Sequence, residues 1–179
     1  MAKLPVLKPQ DVVVLLKVLM WPGGAWKFAE LARELGMSTS EVHAAIKRSL
    51  ASQLAGPRPD LEMVIVNRRN LLEFLLYGIR YVFPAERGPM TRGIPTGVAA
   101  PILEKHFGPS GEAPPVWPYA RGTVRGQGLK PLYPSVPEAA LRDQRLYDAL
   151  AVIDSIRSGR ARERTVAAEV LTSLLGSES

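Results

Sequence analysis

The chain has 179 residues, 46% of them hydrophobic, and it carries 23 Lys and Arg against 17 Asp and Glu, a net charge of +6. This apolar content excludes a largely disordered chain, and the absence of cysteine excludes disulfides, thiol catalysis and thiolate metal sites. The most apolar stretch, Val12 to Met20, contains Lys17 and is far shorter than the roughly 20 residues of a membrane helix. Because Met1–Lys3 do not begin a signal peptide, we expect a cytoplasmic protein with no membrane partner.

The positive charge is concentrated in the first half of the chain. Residues 1–80 carry eleven Lys and Arg against seven Asp and Glu, residues 81–143 carry seven against five, and residues 144–179 carry five of each. A basic N-terminal region favours a polyanionic partner.

The first zone of the chain, residues 8–83, has the periodicity of helices with one short strand. Apolar side chains from Val12 to Met20 predict a helix that ends at the breaker Trp21–Gly24. A second helix is predicted from Lys27 to Leu35, followed by Gly36 at a position that suits a left-handed residue. The other predicted elements of this zone are a third helix that is capped by Ser38 or Thr39 and runs to Gln53, a strand over Leu61–Val66, and a fourth helix through Leu71 to Val82 that is capped by Asn67 or Asn70.

The middle zone, residues 84–137, is crowded with helix breakers. It holds eleven of the sixteen prolines and eight of the fifteen glycines, interleaved with aromatic and aliphatic residues. We predict an ordered but irregular layer that packs on helices, with a flexible linker as the alternative. Helical periodicity returns in residues 138–176, where Gly159 separates two apolar stripes. The capping-box spacing of Ser135 and Glu138 precedes them.

These zones predict a mainly α protein with a minor α+β component. The expected domains are an N-terminal domain over residues 1–83, an irregular Pro/Gly-rich region over 84–137, and C-terminal helices over 138–179. Apolar stripes on the last helices suggest that they dock on the helix from Leu71 to Val82 and assist dimerisation or partner binding.

The segment from Phe28 to Arg48 has the spacing of a helix-turn-helix. Two helices joined by a turn of three or four residues cross at a steep angle. Ala32 is small enough for a close crossing, and Gly36 suits the turn. Val42 and Ile46 face the shared core, so the opposite face of the second helix projects outward, where a major groove can accept it.

Residues 8–82 resemble winged helix-turn-helix regulators of the MarR-like kind, chiefly through Leu31–Ser38 with Glu41 and Val42. The resemblance implies that the domain over residues 1–83 is a winged helix-turn-helix DNA-binding domain, with a short first strand at Ala25 and Trp26 and a wing hairpin over Leu54–Val66. It also implies a set of DNA-contacting side chains: Ser38, Thr39, Ser40 and His43 near the bases, Lys47 and Arg48 on phosphate, Lys27 at the start of the preceding helix, and Arg58 near the tip of the wing.

Other residues suggest chemistry less strongly. The glycines and arginines of Arg87–Gly97 fit a small anion site, although a structural loop is the more common explanation. Trp117 and Tyr119 with Arg121 and Arg125 are able to stack bases, although core aromatics are more common. Two histidines without cysteine give no metal-ligand spacing, and no catalytic constellation is present, so we expect no metal, no cofactor and no enzyme activity.

Two functions follow from these patterns. The first is a transcriptional regulator, expected to be a repressor, that binds double-stranded DNA as a homodimer. The alternative is a winged-helix protein-interaction module, such as an antitoxin-like partner of a neighbouring gene product.

Overall fold

The computed structural model describes residues 5–61 and 63–176. Met1–Lys3 and Glu62, which enter the sequence predictions, lie outside the described residues. Within this part the protein is mainly helical with two small sheets, which confirms the expected mainly α, minor α+β composition. The chain divides into two compact units, and each is made of two segments: residues 1–71 with 132–146, and residues 72–131 with 147–179. This grouping differs from the expected succession 1–83, 84–137 and 138–179.

Unit 1 contains three helices, a hairpin and a later helix. In chain order its elements are α1 (Pro9–Leu19), α2 (Phe28–Leu35), α3 (Thr39–Ala51), β1 (Ala55–Arg58), β2 (Met63–Val66), the start of α4 (Arg68–Tyr77) and α7 (Val136–Arg142).

Helix α1 is the central helix of unit 1. The side chains from Val12 to Leu16 are fully buried. Five consecutive residues cover every face of a helix, so this part of α1 is buried all round and not only along one apolar stripe. Two charged residues are buried with them: Asp11 pairs with Arg48 of α3, and Lys17 pairs with Asp143 just after α7. Buried charges require such partners, because an unpaired ion would remain desolvated.

The strands of unit 1 form one antiparallel hairpin, in which Ala55 pairs with Val66 and Arg58 with Met63. A short 3₁₀ turn from Pro59 to Leu61 connects them. Ala25 and Trp26 lie in no strand, so the short first strand that the resemblance implied is absent at that position. Asn67 accepts a hydrogen bond from the Asn70 amide, which confirms one of the two predicted caps of α4.

Unit 2 contains a three-stranded barrel and helices. Its elements are the end of α4, α5 (Ile79–Val82), β3 (Arg87–Pro95), α6 (Pro101–Glu104), β4 (Pro115–Pro118), β5 (Val124–Leu129), α8 (Gln144–Ser158, from Tyr147 onward) and α9 (Ala161–Gly176).

The region predicted as an irregular layer is more regular than expected, because residues 87–129 include a closed barrel. Strand β3 runs antiparallel to β4 and to β5, while β4 and β5 are parallel. Prolines stand at the C-terminal end of β3 and at both ends of β4, and Pro89 lies in the register irregularity between Arg87 and Met90, so they interrupt little of the ladder. Glycine is required at position 93 for a steric reason, because a Cβ there would lie 2.0 Å from the carbonyl oxygen of Trp117. Only glycine permits the backbone approach that closes so small a barrel.

Helix α8 is the core helix of unit 2, where every residue from Ala149 to Ile156 is buried. Its Asp154 carboxylate accepts hydrogen bonds from Thr96 at 2.8 Å, from the Trp117 indole at 2.6 Å and from Arg157 at 2.7 Å. Burial raises the pKa of Asp154, while the Arg157 charge and these hydrogen bonds oppose the rise. The carboxylate thus joins helix and barrel within this unit. The predicted helix through Val82 is divided at Gly78, between α4 and α5.

Candidate nucleic-acid interface

The α2–turn–α3 segment folds as its local sequence predicts. Leu31, Ala32 and Leu35 are the buried stripe of α2. Gly36 follows in the left-handed conformation, at φ 64° and ψ 34°, where a side chain would be strained. Met37, which follows the turn, is also buried.

Ser38 is the N-cap of α3 and forms a reciprocal capping box with Glu41. Its hydroxyl accepts a hydrogen bond from the Glu41 amide at 3.2 Å, and the Glu41 carboxylate accepts one from the Ser38 amide at 2.7 Å. This arrangement satisfies two of the unpaired amides at the start of the helix. The Ser38 hydroxyl is therefore engaged within the protein, although the residue is exposed.

Helix α3 has two distinct faces. Val42, Ala45, Ile46 and Ser49 are buried. Four of the five α3 residues that were expected to meet DNA are exposed on the solvent side: Thr39, Ser40, His43 and Lys47. We call these four residues the α3 outer face. It carries hydroxyls, an imidazole and an ammonium group and no carboxylate.

His43 and Lys27 are positioned by α2. The His43 ring stacks on Phe28 with 3.6 Å between ring centroids and 11° between planes, so one face of the imidazole is covered by the phenyl ring. Lys27 is the N-cap of α2 and is exposed. Neither Lys27 nor Lys47 has a side-chain partner within residues 5–61 and 63–176, so both ammonium groups are available to an anion.

Arg48, which was expected to contact phosphate, is instead paired with Asp11. Its guanidinium donates two hydrogen bonds to the Asp11 carboxylate, at 2.8 and 2.6 Å, and its side chain is only 12% exposed. Asp11 is fully buried. Hydrogen bonding to Asp11 raises the pKa of Arg48 further, so the guanidinium keeps its positive charge. The charge of Arg48 is thus committed to the interior of unit 1 rather than presented to a phosphate.

Arg58 lies at the end of β1, beside the tip of the hairpin. It is exposed and forms a 3.3 Å ion pair with Asp60, which is also exposed. Exposed pairs of this kind are weak, so Asp60 reduces the local positive charge without fixing the arginine.

The segment Leu132–Leu146 contributes hydrogen bonds that the sequence did not predict. The Tyr133 hydroxyl donates to Glu41, and the Ser135 hydroxyl donates to the Leu35 carbonyl at 2.5 Å. The hydrogen bond from Tyr133, followed by those from Ser38, lowers the pKa of Glu41. Ser135 therefore makes no side-chain cap, and the capping box expected with Glu138 is absent. Nothing in the local pattern near residue 135 signals a partner 100 residues earlier.

Unit 2 contains a cleft of about 760 Å³ lined by residues of β3, α6, the loop before β4 and the α8–α9 turn. The predicted anion loop at Arg87–Gly97 is strand β3 instead, and Arg87 donates to the Ser158 carbonyl. In the cleft wall Arg160 pairs with Glu112. Trp117 is only 1% exposed and belongs to the core, which removes it from any stacking surface.

Within the described ranges no group of three metal-ligating side chains comes together, and no helix there has the length and apolarity needed to span a membrane. No protein-family model, curated protein or solved structure matches this chain. The resemblance to MarR-like regulators therefore stays a prediction from the residues.

Proposed function

We propose that unit 1 binds double-stranded DNA with α3 in the major groove, and that the protein is a transcriptional regulator acting as a homodimeric repressor. The observation that carries this proposal is the division of α3 into a buried face and an exposed outer face that is polar and basic. A helix with such an outer face, held at its start by a capping box, suits insertion into a groove.

Electrostatics supports the same partner. Lys47 on α3 and Lys27 at the start of α2 have no competing anion in the described part of the chain. Each would meet a backbone phosphate and release its counterions, so binding should weaken steeply with salt. Arg48 is left out of the proposed DNA-binding residues because Asp11 holds it.

The outer face sets an expectation for specificity. Thr39 and Ser40 have short side chains, which reach base edges only by close approach or through water. His43 is the larger side chain of the α3 outer face near the start of the helix, and its stacking on Phe28 limits its reach. We therefore expect one protomer to have low sequence specificity. A second copy, bound to the other half of a two-fold symmetric DNA site, would supply the additional specificity.

Binding of the 179-residue chain to a duplex from its own promoter tests the assignment by fluorescence anisotropy. Ser40→Glu with Lys47→Glu should lower affinity at least about tenfold, because both introduce negative charge beside phosphate. The matched control, Thr165→Glu with Lys105→Glu in unit 2, changes net charge equally and should stay within about twofold. Equal affinities of the two variants would contradict the proposed insertion of α3 into the major groove.

The same protein preparations test the oligomeric state and whether the partner is DNA or another protein. Light scattering with and without the duplex should give a dimer, and a monomer under both conditions would contradict that part. A pull-down that recovers a stoichiometric protein and no DNA would favour the protein-interaction alternative.

A further inference from the structure

The barrel of unit 2 carries positive charge without any acidic residue of its own. Residues 87–103 and 113–137, which include all three strands, contain five Lys and Arg and no Asp or Glu. Lys130 pairs with Glu86, and Arg87 donates to the Ser158 carbonyl. Arg92, Arg121 and Arg125 are exposed.

Arg92 of β3 and Arg125 of β5 lie directly opposite each other in the antiparallel register. Facing residues of such a pair project from the same side of the sheet, with Cβ atoms roughly 5 Å apart. Both are exposed, and neither guanidinium has a side-chain partner among the residues that the structure describes. Two facing cations without an anion between them are unfavourable, and an external anion would relieve the repulsion.

Tyr119 extends this arrangement across the third strand. Ile94 of β3 pairs with Trp117 of β4, and both are buried. Two residues further along, the Tyr119 amide donates to the Arg92 carbonyl at 3.1 Å, which places Tyr119 beside Arg92. Alternation along the strands puts their side chains on one side of the sheet. We call Tyr119, Arg92 and Arg125 the cross-strand row.

Arg121 supports the aromatic end of the row. Its guanidinium donates to the Tyr119 hydroxyl at 2.7 Å and lies 5.5 Å from the centre of the Tyr119 ring. Strand β3 pairs with β4 and with β5, and neighbouring strands are about 4.8 Å apart, so the three side chains of the row leave from adjacent strands.

We propose that the cross-strand row binds single-stranded nucleic acid, with Arg92 and Arg125 on backbone phosphate and Tyr119 stacked on a base. Arginine matches phosphate by its planar fork of donors, and an aromatic ring accepts any unstacked base without sequence preference. In a duplex the bases are already stacked and hidden from such a ring, so a single strand is the better match. This site is independent of α3 and of the duplex binding proposed for unit 1.

Fluorescence anisotropy of labelled oligothymidylate with the 179-residue chain tests the proposal between about 50 and 200 mM salt. Arg92→Gln with Arg125→Gln should lower affinity at least about tenfold and flatten the salt slope by about 0.7 for each phosphate that is no longer neutralised. Tyr119→Ala should lower affinity about tenfold with little change in slope, while Tyr119→Phe retains binding because the ring remains. Circular dichroism should show all of these variants folded.

Two control variants make the result specific. Lys105→Gln with Arg162→Gln removes the same charge from exposed positions elsewhere in unit 2 and should leave oligothymidylate affinity within about twofold. Ser40→Glu with Lys47→Glu should also retain it, which separates this proposal from duplex binding by α3. The proposal is overturned if the Arg92 and Arg125 variant binds oligothymidylate like the unmodified protein or like the Lys105 and Arg162 control. The proposal is also overturned if the Arg92 and Arg125 variant loses affinity for duplex DNA but keeps its affinity for oligothymidylate.

Discussion

The buried ion pair between Arg48 and Asp11 gives the sharpest test of how α3 is used. Replacing Arg48 with methionine keeps the aliphatic length but leaves the fully buried Asp11 carboxylate without its cation. Removing one partner of a buried pair costs about 3–5 kcal/mol. Because Arg48 is 12% exposed and some water reaches it, we expect a value near the lower limit. For a chain of this size, about 3 kcal/mol corresponds to a fall in Tm of about 6–12 °C.

Urea unfolding followed by far-ultraviolet circular dichroism measures this change in stability. Lys47→Met is the matched variant one residue earlier, and it should change the free energy of unfolding by less than about 0.5 kcal/mol because Lys47 is exposed and unpaired in the described part of the chain. Asp11→Asn added to Arg48→Met should recover part of the stability, since it removes the isolated charge. An Arg48→Met protein that is destabilised by less than about 1 kcal/mol would refute the structural role of the pair. So would equal destabilisation at positions 47 and 48.

Three further predictions concern titration and close packing. Burial raises the pKa of Asp143, but Lys17 and backbone amides hold it below its ordinary value of 3.8. The stability that ionised Asp143 contributes is therefore present above pH 3.8 and is lost as the pH falls through the folded pKa. Asp143→Asn should make Tm depend less on acidic pH. An unchanged dependence of Tm on pH would contradict this prediction. Gly93→Ala should cost about 3 kcal/mol in urea unfolding, because its Cβ would lie 2.0 Å from a β4 carbonyl oxygen. The control Gly88→Ala, whose nearest atom is 3.9 Å away, should cost far less. Burial, followed by the charge of Asp148, raises the pKa of Tyr147 to about 12, so that stability present below pH 10 should decline as the pH approaches 12. An ultraviolet titration in which all five tyrosines ionise together near pH 10 would contradict the last prediction.

The local part of the candidate site could be predicted from the sequence. The breaker after α1, the left-handed Gly36 and the Ser38 cap are decided by residues within a few positions of each other. The buried stripe of α3 follows from helical periodicity alone, so its exposed face was predictable as well. For these features the tertiary structure agrees with the local preference.

Other features depended on residues far apart in the chain. Nothing near Arg48 indicates that its partner is Asp11, 37 positions earlier. The barrel was not predicted because its strands are short, rich in proline and glycine, and paired across long loops, which conceals the alternation typical of strands.

By itself, the sequence determined the helix-turn-helix spacing, its caps and the side chains on the outer face of α3, because short-range backbone geometry and periodicity fix these. Only the tertiary structure decided which charges remain available to a ligand. It enclosed Arg48 with Asp11, joined Tyr133 to Glu41, and set Arg92 opposite Arg125 with no anion between them among the described residues. The physical reason is that the electrostatic role of a charged side chain is set by its partners in space, and for these residues the partners are distant in sequence.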